Sequence, residues 1–314
     1  MAVAGGIDAP SKTPLAGQRA VVVGVARNCA RHLPGVLENL ARLASLYAET
    51  RFIFAVSDST DGTLDLIEEW LARERKGRVL DLGELEPGIP VRSARIAAAR
   101  NACLDEIRRS PCAAYDHLIV ADLDDVMDCR VEAGAFRLAA EWLDASAERA
   151  GVFANSAPRY YDLWALRHDT WCPADVWHAI WGRNPREAFE AAKIREVFDR
   201  QIRISPQWPP IAVRSAFGGL GLYKMSAALA GAYCGIDPQG RPVSEHVAFN
   251  QAIGKASGQL HIFPSLMVQA PREHLYAPRE FSWPWRLAML RRRMLEFRKP
   301  PGPAFLPGRG VEDP

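Results

Sequence analysis

The stretch AVVVGVA, Ala20–Ala26, is an unbroken apolar run with no polar face. Such a run suits a strand buried on both sides, the situation of a central strand in a parallel sheet. The chain then alternates. LPGVLENLARLASLYAE puts Leu37, Leu40, Leu43 and Tyr47 on one side of a helix, and RFIFAVS reads as a second strand. DGTLDLIEEWLARERKG predicts a helix closed by Gly77, and VLDLGE a short strand. IPVRSARIAAARNACLDEIRRS predicts a long helix and HLIVADL a fourth strand. Strands alternating with helices make βαβ units, so the expected fold is α/β with a mainly parallel central sheet flanked by helices.

Beyond about residue 150 the pattern loosens. Aromatic residues, Pro and Gly punctuate it, with a strand or two in SPQWPPIAVRSAFGGLGLYKMS. A short helix follows in EHVAFNQAIGKASG, closed by Gly258, and then a strand in QLHIFPSLMV. A chain of 314 residues, 48% hydrophobic, can bury the core of one large α/β domain or two smaller ones. The net charge of +2 gives no ground for a nucleic-acid partner. Six cysteines without a C-x-x-C pair, and a polar start unlike a secretory signal, read as reduced thiols in a cytoplasmic protein. No apolar run approaches the length of a membrane span.

The fourth strand ends in acids: HLIVADLDDVMD carries Asp122, Asp124 and Asp125. Ligands of open α/β sheets bind beyond the carboxyl ends of the strands. Paired carboxylates there can hold Mg²⁺ or Mn²⁺ together with substrate phosphates. Capping of the next helix is the plain alternative, and it accounts for one Asp of the three. SDSTDGT, Ser57–Thr63, either binds a nucleoside or caps the helix it opens. Arg92 and Arg95 lie three apart in a helix that also holds Arg100, a spacing suited to a diphosphate or to simple solvation.

The order of these pieces resembles the GT-A glycosyltransferases, closest to the family-2-like and capsule-associated mannosyltransferase-like groups, with RIAAARN pointing to the latter. The resemblance covers roughly residues 19–270. It implies a sugar moved from a UDP- or GDP-sugar donor to a glycan or lipid-linked acceptor, with Mn²⁺ or Mg²⁺ held by Asp122 and Asp124. Asp58, Asp61, Arg92, Arg95, Arg100, Asp122 and Leu123 would then line the donor site. Glu245 would be the base, with His246 in reserve, since this chain has Glu-His where inverting relatives often carry Glu-Asp. Gly218 and Gly219, in FGGLGLYK, would line the acceptor side. On this view 1–18 is a flexible arm, 19–130 the nucleotide-sugar half, 131–278 the acceptor half of the same domain, and 279–314 a basic aromatic tail.

His274 would complete a metal site as in some members of the fold, or be merely exposed; His117 reads as structural. Tyr161, Asp162 and Trp164 could wall a sugar ring, while ordinary core packing explains Tyr160 and Trp164 about as well. The tail carries Trp283 and Trp285 beside Arg291, Arg292 and Arg293. Residues 281–299 can therefore lie on an anionic membrane or pack on the domain. Two rivals remain: a haloacid-dehalogenase-type phosphatase with Asp122 as nucleophile, for which the motif lies far from the usual start of the chain, and a non-catalytic nucleotide-sugar-binding protein.

Overall fold

The computed structural model describes residues 14–256 and 258–275. The chain divides into two units, Met1–Ala270 and Pro271–Pro314. In the first, the expected alternation appears as β1 (Arg19–Ala26), α1 (Leu33–Ala44), β2 (Glu49–Val56), α2 (Thr63–Glu74), β3 (Gly77–Asp81), α3 (Arg92–Arg108) and β4 (His117–Asp122). There follow α4 (Ala133–Asp144), β5 (Arg149–Ala157), α5 (Val176–Trp181), α6 (Phe189–Glu196) and β6 (Ile211–Val213). The unit closes with β7 (Leu220–Lys224), α7 (Met225–Ala228), α8 (Glu245–Lys255) and β8 (Gln259–Gln269).

One eight-stranded sheet runs in the order β3-β2-β1-β4-β7-β5-β8-β6. The first four strands are parallel, as the apolar run of β1 requires. The second half is mixed: β7 enters antiparallel between β4 and β5, β5 and β8 pair in parallel, and β6 closes the edge antiparallel. Val22 and Ala20 face one core, with α1, α2 and α4; Val21 and Val23 face the other, with α3 and α8. Burial on both faces is why β1 carries no polar residue after the exposed Arg19 at its start.

Local signals mattered in two places where the sequence misleads. Helix α2 ends at Arg75 in the left-handed region (φ 54°), not at Gly77. Gly77 instead begins β3, where a Cβ would come within 2.2 Å of the Phe52 carbonyl oxygen. The last part of the expected N-terminal arm is also structured: Pro14–Gly17 form a 3-10 turn and Leu15 is fully buried. The rest of that arm, 1–13, and the tail over 279–314 with its expected membrane contact lie outside the described residues. Among the described residues no helix is long and apolar enough to cross a membrane.

One glycine fixes the entry to α3. A Cβ on Gly235 would lie 2.1 Å from the Ser93 carbonyl carbon and oxygen, and the Ser93 hydroxyl donates to the Gly235 carbonyl at 2.6 Å. Gly235→Ala is expected to force these backbones apart and cost about 1–3 kcal/mol. A lowered urea midpoint at unchanged slope would register it, and an unchanged midpoint would refute the close fit.

On the far half of the sheet, His261 of β8 meets Trp142 edge-on at 4.8 Å, while the Arg149 guanidinium lies 3.7 Å from the same indole centroid. Burial, then the Arg149 charge, push the His261 pKa down to about 4. A histidine lowered in the folded state stabilises above its unfolded pKa, and that stability is lost as pH falls through the folded value. The window is therefore roughly pH 6.5 down to 4. Because solvent reaches part of the ring, the contribution is about 1–2 kcal/mol rather than the full shift. Chemical unfolding of wild type and His261→Gln across this range should show the acid slope flattened in the variant; parallel profiles would assign the slope to other groups.

Candidate active site

The carboxyl ends of the parallel strands form a row, because register fixes which residues stand abreast. Val25 of β1 is level with Asp122 of β4, Ala26 with Val56 of β2, and Val56 with Asp81 of β3. At this edge β4 gives way to a tight turn. The Val126 amide donates to Asp124 Oδ1 at 3.2 Å and the Met127 amide to the Asp124 carbonyl. Leu123 turns inward and is buried against Gly24, so only its backbone can face a ligand.

Asp122 is held on two sides. Its amide donates to the Gly219 carbonyl of the segment entering β7, at 2.9 Å, and its Oδ1 accepts from Arg100 Nη2 at 2.9 Å. Arg100 also donates through Nε to Glu245 Oε1 at 3.0 Å. Its side chain is 4% exposed, beneath the rings of Phe217 (5.1 Å) and Tyr233 (5.8 Å). Against the cost of burial, Glu245 and then Asp122 hold the guanidinium more firmly charged than usual. Burial and then the Asp124 charge push the Asp122 carboxyl well above the usual range; Arg100 opposes this, while Glu245 and Asp162 add to it.

Asp122 and Glu245 thus share the Arg100 counter-charge, and the charges of Asp124 and Asp162 act on Asp122 as well. Asp122 and Asp124 form a pair of hard oxygen donors on one turn, crowded enough to gain from a divalent cation, and that donor set fits Mg²⁺ or Mn²⁺. Among the described residues no group of three or more His, Cys, Asp or Glu side chains stands ready as a complete cage. Two carboxylates with the remaining positions left to phosphate and water is the usual Mg²⁺ pattern.

The other expected donor residues divide. Asp58 lines an open cleft of about 530 Å³ beyond β2 and β3, walled also by Val56, Leu64, Asp81 and Pro87. Burial works against its charge, but the Glu86 amide and Ser57 hold its carboxyl below the usual range. Asp61 serves the fold: it takes the Thr63 hydroxyl at 2.6 Å and the Ala30 amide at 3.1 Å, tying the loop after β1 to the start of α2. The Thr63 amide donates to the same Asp61 oxygen at 3.2 Å, while Gly62 stands at the N-cap itself. Arg95 is likewise committed, to the Ile89 and Pro90 carbonyls (both 2.9 Å) and to Glu86 (3.1 Å), so it does not share a free patch with exposed Arg92.

Among the residues expected to take the acceptor, Asp162 Oδ2 accepts the Gly218 amide at 2.9 Å. Gly218 and Gly219 have φ of 70° and 89°, and a Cβ on Gly219 would strike Val126 at 2.3 Å and reach within 3.5 Å of the Tyr161 hydroxyl. Tyr161, Asp162, Gly218 and Gly219 therefore do come together. Trp164 is partly buried with its indole N–H shielded and unpartnered, which suits packing better than an open sugar wall. Exposed aromatic surface comes instead from Trp181, Trp208 and Phe189.

Two remaining expectations move. His246 is stacked on Phe217 at 3.8 Å and only 2% exposed, and burial with the nearby Arg100 charge keeps it neutral. Its Nε2 lies 3.4 Å from Glu245 Oε1, so the two expected candidates for the base stand side by side, both buried. His274 belongs to the second unit, in a 3-10 turn over Arg272–His274, with its Nε2 3.6 Å from Glu273. His117 is structural as expected: buried, it bridges the Tyr47 hydroxyl (3.0 Å) and Asp144 (2.9 Å). The sequence reading missed Asp81 and Arg27 at the cleft; both end or follow strands of the parallel half, a position that alone could have flagged them.

No protein-family model and no curated protein matches this chain. Among solved structures it is similar to S. aureus TarS 1-349, at 14% identity and TM-score 0.45, covering 80% of this chain and 60% of that one. It is also similar to the mannosyltransferase PcManGT from Pyrobaculum calidifontis in complex with GDP-Man and Mn²⁺ (15% identity, TM-score 0.47, 92% and 67% covered). A third is glucosyl-3-phosphoglycerate synthase from Mycobacterium tuberculosis in complex with Mn²⁺, UDP and glucosyl-3-phosphoglycerate (14% identity, TM-score 0.39, 81% and 69% covered). The chain thus spans only about three fifths of the length of TarS 1-349. At this level of similarity the chemistry has to be read from the chain's own side chains, set on an α/β fold with one mixed eight-stranded sheet flanked by helices.

Proposed function

We propose that the protein is a metal-dependent glycosyltransferase of GT-A type, moving a sugar from a UDP- or GDP-sugar to a hydroxyl of a glycan or lipid-linked acceptor. The observation that carries this reading is the linked set Asp124, Asp122, Arg100 and Glu245, beside a cleft on the same sheet edge. Strands lie about 4.8 Å apart. A base in the cleft beyond β2 and a diphosphate at β4 are therefore roughly 10 Å apart, a span a nucleoside diphosphate can cover.

Asp122 and Asp124 would hold Mn²⁺ or Mg²⁺, which when bound supplies positive charge to the departing diphosphate. Arg100 keeps the Asp122 and Glu245 carboxylates oriented by one hydrogen bond to each. Glu245 takes the proton of the acceptor hydroxyl, and Tyr161, Asp162 and the Gly218–Gly219 backbone border the place where that acceptor lies. Exposed Arg92 as a phosphate contact, a cytoplasmic location and peripheral membrane contact through 281–299 belong to the same proposal.

The test is a calorimetric screen of UDP-, GDP-, CMP- and ADP-sugars with and without Mn²⁺, on wild type and Asp124→Ala. Binding of a nucleoside-diphosphate sugar that strengthens at least 10-fold with Mn²⁺ and loses that gain in the variant is expected. Absence of any nucleotide binding would overturn the proposal and turn attention to phosphatase assays.

A further inference from the structure

The segment between β4 and α4, residues 123–132, is neither helix nor strand, yet its Leu123, Val126, Met127 and Val131 are buried. Such a segment has no ladder to take its backbone polar groups, so other groups must. Helix α1 supplies them from one stripe. His32 at its N-cap, then Gly35, Asn39 and Arg42, follow at spacings of three, four and three, which aligns them along one side of the helix.

All four meet residues 127–131. His32 Nδ1 lies 3.0 Å from Asp128 Oδ2, and Gly35 leaves room for the same carboxylate, since a Cβ there would run into Asp128 Oδ1. Asn39 Nδ2 donates to the Met127 carbonyl at 3.0 Å and the Cys129 carbonyl at 2.7 Å, and Asn39 Oδ1 accepts the Val131 amide at 3.1 Å. Arg42 Nη2 donates to Asn39 Oδ1 at 3.1 Å and to the Val131 carbonyl at 2.7 Å. Asn39 is 3% exposed and makes all four hydrogen bonds open to an amide side chain.

This brace ends at the turn that carries Asp124. The Asp124 carbonyl accepts the Met127 amide and its Oδ1 the Val126 amide, both at 3.2 Å. Met127 is thus bonded to Asp124 through its amide and to Asn39 through its carbonyl. On the opposite side Val126 abuts Gly219. Asp122 is fixed separately, by the β4 ladder and by Arg100. The spacing of the two carboxylates therefore depends on where the turn sits, and the turn is seated on α1. A small hard cation demands near-ideal geometry, so it gains from carboxylates whose spacing is set before it arrives.

We infer that Asn39 is a positioning residue for the metal site, holding Asp124 against Asp122 through Met127 without touching cation or substrate. The inference rests on the metal-holding role proposed above for these two acids. The side-chain chemistry agrees with it. Aspartate would bring no donor to the two carbonyls, and leucine would leave the Met127 carbonyl and the Val131 amide buried without a partner.

The experiment titrates Mn²⁺ alone into the full chain and reads free Mn²⁺ by electron paramagnetic resonance, on wild type, Asn39→Ala and Asn155→Ala. Asn155 is the control, a fully buried amide that donates to the Ile204 and Pro264 carbonyls at 3.1 and 3.0 Å on the far half of the sheet. Both variants should unfold at lower urea. Asn39→Ala should also weaken Mn²⁺ by about 10-fold, as expected for losing a group that supports a metal ligand, while Asn155→Ala stays within about twofold of wild type. Wild-type Mn²⁺ affinity in Asn39→Ala, or equal losses in the two variants, would overturn the inference and leave the transferase proposal standing. Should Asn39→Ala fail to fold, His32→Ala decides. Removing that partly exposed contact to the same segment should weaken Mn²⁺ about threefold, and an unchanged affinity would overturn the inference. A wild type that binds no Mn²⁺ would overturn this inference and the metal-dependent reading together.

Discussion

Arg100→Met is expected to lower the unfolding free energy by about 3–5 kcal/mol, the range for removing one partner of a buried ion pair. The side chain stands between two carboxylates, Asp122 and Glu245, and is itself almost wholly enclosed. Methionine fills comparable volume, so the loss would come from two acids left without their counter-charge rather than from a cavity. Urea unfolding of the variant measures it. A second change, Glu245→Gln in the Arg100→Met background, removes one stranded charge and should recover part of the loss. A variant within 1 kcal/mol of wild type would mean that solvent rather than Arg100 compensates these carboxylates.

Glu245→Gln in an otherwise intact chain is expected to slow sugar transfer by roughly 10²–10⁴-fold, the usual value of a positioned general base. Donor affinity should stay within about twofold of wild type, since no atom of the cleft is touched. The split is what identifies the role: kcat falls while donor binding holds. Equal losses in both would make Glu245 a support for Arg100 and Asp122, and the base would have to be sought on the acceptor side, where Asp162 lies.

The parallel half of the fold was legible because burial on both faces leaves a direct mark in sequence, an apolar run such as Val21–Val23 with no polar interruption. The acids of β4 were legible for a related reason: a buried strand that ends in charge is ending at a surface where charge is wanted. What could not be read was partnership. Asp61, Arg95 and Arg100 look alike as charged residues between the strands, but one ties a loop to the start of a helix, one braces a loop and one bridges two acids. Those roles depend on which distant residues fold against them, with Glu245 lying 145 positions from Arg100. The antiparallel entry of β7 was also hidden, because a five-residue strand, all but its last residue buried, carries no sign of its direction. The surroundings of His246 were hidden for the same reason, as nothing local announces the Phe217 ring stacked on it.

Between the end of β5 at Ala157 and the start of β7 at Leu220 the chain makes a long excursion, and both of its ends are anchored within the sheet. The excursion is clasped near its base by the bond from the Gly218 amide to Asp162, and it contributes β6 to the outermost edge of the sheet. Such a layout separates two kinds of inheritance. Residues of the excursion can be exchanged, lengthened or trimmed across a lineage while the parallel strands and their acids stay as they are. A descendant could then acquire a new acceptor without relearning how to hold its donor, and sequence drift should accumulate fastest between the clasp residues and slowest along the row from Asp81 to Asp122.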